Sequence, residues 1–91
     1  MLGGAACADT GGSTPPFDTA LLTGRGEVGT INLWDRITDD CQREGIQGQL
    51  PSGTLVGVTK VRNDCNPKMY FVGTRAEGEN GWVRELFLDP R

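Results

Sequence analysis

The chain has 91 residues, with nine Lys/Arg against twelve Asp/Glu, no histidine and three cysteines. That is enough for one domain and too little for two, and no apolar run approaches the ~18 residues of a membrane span. The basic residues are scattered without a run or stripe, which argues against phosphate-driven nucleic-acid binding. The lack of histidine excludes Ser-His-Asp and Cys-His catalysis.

Residues 1–24 are small, polar and glycine-rich, and Pro15 and Pro16 block both helix and central strand. They are read as a mobile leader, with Phe17, Leu21 and Leu22 docking on a domain that occupies 25–91. The opening MLGGAAC lacks the basic and apolar regions of a complete signal peptide. Yet GGAAC ahead of a Gly/Ser/Thr/Pro stretch is similar to the cleavage region of a bacterial lipoprotein, with Cys7 as the lipidated residue. The alternative is an incidental cysteine in a disordered tail.

From residue 25 the texture changes. GTINLWDR (29–36) alternates apolar Ile31 and Leu33 with Thr30 and Asn32 and reads as a strand. ITDDCQREGIQGQL (37–50) is polar and reads as a long loop entering a second strand. LPSGTLVGVTKVRND (50–64) opens on a Pro-Ser-Gly turn and continues as a strand in which Gly57 marks a close backbone approach. NDCNP (63–67) is a turn, KMYFVGTRA (68–76) a strand rich in β-formers, EGEN a turn, and GWVRELFL the closing strand. No segment carries a helical period. Short strands at intervals of roughly 8–12 residues predict an all-β barrel or sandwich.

The order of these pieces resembles the bacterial SH3-like domains. INLWDR is similar to that family's early Leu-Asn-Val-Arg strand. In GIQGQLPSGTLVGV (45–58), Ile46, Gly48, Leu50, Gly53 and Val56 fall in register with its Val-Ile-Gly-x-Leu-x-x-Gly-x-x-Val segment. MYFVGTR supplies the aromatic strand, and GENGWVRELFL fits the closing Gly-x-x-Gly-Trp-Val-x-x-x-x-Leu. The resemblance spans about 29–88. Trp34 stands where the family usually has Arg, and the Ser-Gly-Pro that follows in the family is absent. The resemblance implies a small barrel of about five short strands. It also implies a non-catalytic binding module of the cell envelope, outside the cytoplasm, that recognises a peptide, a cell-wall fragment or a partner protein. The alternatives are an intracellular protein- or nucleic-acid-associated adaptor barrel and an orphan structural or oligomerisation domain without a ligand of its own.

On that layout Cys41 lies in the long loop and Cys65 in a turn. A bond between them would close a 24-residue loop and leave Cys7 over; three reduced thiols is the competing reading. The cysteines have no metal spacing, and no motif points to a cofactor. Asp35, Asp39, Asp40 and Glu44 cluster in sequence, but their spacing is not that of a calcium loop, and a solvated acidic loop is the simpler reading. The expected ligand site comprises Trp34, Asp35, Asp39, Asp40 and Tyr70. Trp82 and Phe71 are expected in the core, and Arg75, Glu77 and Arg84 on the solvated surface.

Overall fold

The computed structural model describes residues 13–74 and 79–91. Among these residues seven strands follow one another: β1 (Thr19–Leu22), β2 (Thr30–Ile37), β3 (Arg43–Pro51), β4 (Leu55–Arg62), β5 (Met69–Gly73), β6 (Asn80–Arg84) and, after a 3₁₀ turn over Glu85–Phe87, β7 (Leu88–Pro90). All pairings are antiparallel, in the order β3-β2-β6-β5-β4-β1-β7. No helix among the described residues is long and apolar enough to cross a membrane.

The all-β expectation holds, but the sheet does not close into a barrel of about five strands. Its ladder starts at β3 and ends at β7, and these two are not paired. The sheet curls instead. Leu50 of β3 and Leu88 of β7, from opposite edges, share one core with Ala20, Leu22, Ile31, Leu33, Val56, Val58, Val61, Tyr70, Val72 and Val83. Right-handed strand twist allows one face of a seven-stranded sheet to wrap such a core without ladder closure.

Two of the seven strands come from segments expected to be irregular. Thr19–Leu22 falls inside the expected leader, yet it pairs with both β4 and β7. Ala20 and Leu22 are fully buried there, in the alternation of a strand with one face in the core. Phe17 stacks on Tyr70 at 5.2 Å between ring centroids, and Ser13 exchanges backbone hydrogen bonds with Val61. The folded unit therefore reaches back at least to Ser13. Cys7 lies outside the described residues. Arg43–Pro51, expected as loop, is the outer arm of a hairpin with β2. Its polar sequence suits an edge strand whose residues are mostly exposed.

Two bulges set the phase of the side chains. Between the pairs Leu33↔Gly48 and Trp34↔Ile46, β3 spends an extra residue, Gln47. Between Val58↔Val72 and Lys60↔Phe71, β4 spends Thr59. The second bulge lets Val61 join Val56 and Val58 in the core, which unbroken alternation would forbid. The close backbone approach expected at Gly57 occurs at Gly81 instead. A Cβ on Gly81 would lie 2.7 Å from Leu33 Cβ and 3.0 Å from the Trp34 carbonyl oxygen, whereas one on Gly57 meets nothing nearer than 3.9 Å. The glycine before Trp82 is thus what lets β6 lie against β2.

Candidate functional site

Trp34 stands directly across the β2–β6 ladder from Trp82. Trp82 is 4 % exposed and meets Phe71 edge to face at 5.3 Å. With Ile37, Cys65 and Met69 it forms a second, smaller cluster, against which Trp34, Cys41 and Phe71 pack half-buried. Trp82 is therefore core, as expected, but it serves this smaller cluster rather than the main one.

A disulfide between Cys41 and Cys65, with Cα atoms 5.7 Å apart, ties the β2–β3 hairpin tip to the β4–β5 turn. Asp64 lies beside it, but both sulfurs are consumed in the bond, so the trio offers no thiolate to a metal.

The same two loops are joined by a buried guanidinium. Arg62, 5 % exposed, donates through Nε and Nη2 to the two carboxylate oxygens of Asp64 at 2.9 and 2.8 Å. Its Nη1 donates to the Ile37 carbonyl at 3.3 Å. The Arg62 hydrogen bonds hold the Asp64 carboxyl down at about 2. A carboxyl whose pKa is depressed on folding adds stability above its unfolded pKa and loses it as pH falls through the folded value. The Asp64 contribution should thus be complete above about pH 4 and vanish between about pH 4 and 2. Chemical denaturation across that range should show a step that Asp64→Asn removes.

The expected site residues do not gather into one groove. Trp34 borders a groove of about 150 Å³ with Val28, Asn32, Arg43, Arg84 and Phe87. Tyr70 lies on the opposite side of β5 from Phe71, in the main core, 3 % exposed. It borders a different hollow of about 370 Å³, with Phe17, Arg25, Pro67 and Leu86. Burial, and secondarily the charge of Glu85, push its hydroxyl pKa up. The 3₁₀ turn separates the two hollows, since Phe87 borders the first while Glu85 and Leu86 border the second.

The acidic residues stand apart from both. Asp35 is exposed on β2, with its Cβ close to Gly45. Asp39 and Asp40 sit at the hairpin tip, where Asp40 accepts a 2.6 Å hydrogen bond from the Thr38 hydroxyl. That bond holds the Asp40 carboxyl below its ordinary range. Glu44 is paired with Arg36 at 2.8 Å. These carboxylates shape the hairpin and border neither hollow.

What borders Trp34 is positive. The Arg43 guanidinium lies 5.3 Å from the Trp34 ring centroid, and that of Arg84 lies 5.4 Å from the Phe87 ring. Arg84 is half-buried rather than solvated, and its Nε is buried with no acceptor among the described residues. Neither arginine was singled out for the site from the sequence. The available signal was the period of two in Trp82-Val83-Arg84, which puts Arg84 on the face of Trp82 and Trp34.

Compared with protein-family models, with curated proteins and with solved structures, the chain matches none.

Proposed function

We propose that this chain is a non-catalytic binding module of the SH3-like kind that works in the cell envelope and recognises a peptide, a cell-wall fragment or a partner protein through the Trp34 groove. The observation that carries this reading is the half-buried Trp34 ring, set in a hollow between two arginines and a second aromatic side chain. Small ligands settle in such concave sites, where aromatic walls bury apolar groups and a few polar groups fix orientation. Exposed aromatic rings on rigid strands bring large contact area at low entropic cost.

The Cys41–Cys65 disulfide supports work outside the cytoplasm, because such bonds persist in oxidising compartments. Lipidation of Cys7 would anchor the domain at a membrane surface. The resemblance of INLWDR and GENGWVRELFL to bacterial SH3-like domains supplies the ligand class.

Equilibrium binding of the oxidised chain to soluble cell-wall peptides and envelope proteins tests the reading. Trp34→Ala is expected to weaken binding at least about tenfold, the usual effect of truncating a central aromatic anchor. Unchanged affinity for every such partner in a folded Trp34→Ala variant would overturn it.

A further inference from the structure

We propose that the Trp34 groove takes a carboxylate: the acid group of a peptide seats between the guanidiniums of Arg43 and Arg84, and the adjoining carbon chain lies against Trp34 and Phe87. This rests on the reading of the groove as the binding site and narrows its ligand to one chemical class.

The arginines of the chain make the case by comparison. Arg36 is paired with Glu44, Arg62 with Asp64 and Arg91 with Asp89. Arg25 spends Nε and Nη2 on the carbonyls of Leu86 and Leu88. Arg43 and Arg84 are the described arginines with no oxygen acceptor among the described residues, and both border the same groove. Arg84 has withdrawn its Nε from solvent without a partner. A guanidinium carries five N–H donors; of those of Arg84 it is Nε that is withdrawn from water, where an unmatched donor is costly. A position over an aromatic ring uses the charge but none of those donors.

In a chain of net charge −3, the groove wall carries two guanidiniums and, among the described residues, no carboxylate. The complementary ligand is an anion. Planar guanidinium forks match a carboxylate's two oxygens. The small volume, with Trp34, Phe87, Val28 and Ile31 in its walls, suits a singly charged head flanked by carbon better than a strongly hydrated phosphate dianion.

Nuclear magnetic resonance titration of the oxidised chain with N-acetyl-Ala-Ala and with its C-terminal amide tests this. The acid is expected to shift the Trp34 indole N–H and the Arg43 and Arg84 Nε–H signals, and the amide to leave them in place. Arg43→Gln and Arg84→Gln are each expected to weaken the acid about tenfold, the range for a charge-assisted hydrogen bond. Trp82 signals report whether each variant remains folded, and exposed Arg43 serves alone if Arg84→Gln does not fold.

N-acetyl-Ala-Glu-Ala-amide offers a side-chain carboxylate only. If it binds and N-acetyl-Ala-Ala does not, the carboxylate comes from an acidic side chain rather than a chain terminus. Equal binding of acid and amide at Trp34 would overturn the carboxylate while leaving the groove reading intact. Tighter binding of inorganic phosphate at the same signals would overturn it in favour of a phosphate ligand. Silence of the groove signals with all these probes would overturn it too, whereas the groove reading itself is tested separately, by the effect of Trp34→Ala on binding of cell-wall peptides and envelope proteins.

Discussion

Reduction of the Cys41–Cys65 bond is expected to lower the free energy of unfolding by about 3 kcal/mol, the chain-entropy value for a closed loop of this length. The loop spans a sequence separation of 24 and contains the whole of β3 and β4. For a domain of this size the loss corresponds to a fall in Tm on the order of 10–20 °C. The native state loses something as well. Cys65 is 5 % exposed and packs beside Trp82 and Met69, so the bond also holds the smaller cluster shut. Urea unfolding of the oxidised chain against the Cys41→Ser/Cys65→Ser double variant measures the effect. A difference under about 1 kcal/mol would mean that the hairpin tip is held by other contacts, of which the Arg62 guanidinium on the Ile37 and Thr38 carbonyls is the strongest candidate.

The two tryptophans are expected to separate stability from binding. Trp82→Ala removes a buried ring from between Phe71, Met69 and the disulfide and should cost about 3–5 kcal/mol. In so small a domain that is a large share of the total. Trp34→Ala truncates a ring that is only half-buried and should cost about 1–2 kcal/mol. It should nevertheless remove most of the ligand affinity, which Trp82→Ala affects only through unfolding. Thermal denaturation and ligand titration of both variants make the comparison. A Trp34→Ala loss of stability as large as that of Trp82→Ala would assign Trp34 to the core and remove the groove's anchor.

Much of the fold is legible in the sequence where period and turn chemistry agree. Ile31 and Leu33 alternate into the core, Gly53 takes the positive φ of the turn between β3 and β4, and the closing Gly81-Trp82-Val83 brings a ring and a core valine to opposite faces of β6. The pairing of Cys41 with Cys65 also follows once those strands are placed. The edges are harder to read. β1 is four residues long and follows a Gly/Ser/Thr/Pro tract, so its burial is decided by β4 and β7, which lie distant in sequence. β3 is polar because it is an edge, and an exposed edge strand looks like a loop in composition. The open ladder follows from these two additions.

The site is less legible for a related reason. Asp35, Asp39 and Asp40 lie near Trp34 in sequence, but strands join residues across the chain. The neighbours that matter, Arg43, Arg84 and Phe87, come from β3, β6 and the 3₁₀ turn. Tyr70 is separated from Trp34 by the alternation that turns Phe71 the other way.

The most direct test of the groove is a chemical-shift map of the oxidised, isotope-labelled chain titrated with a cell-wall peptide mixture. Perturbations are expected to centre on the Trp34 indole, Arg43, Arg84 and Phe87, with Tyr70 and Phe17 little changed. Perturbations centred instead on Tyr70, Phe17 and Leu86, or confined to the exposed edge of β3, would contradict it.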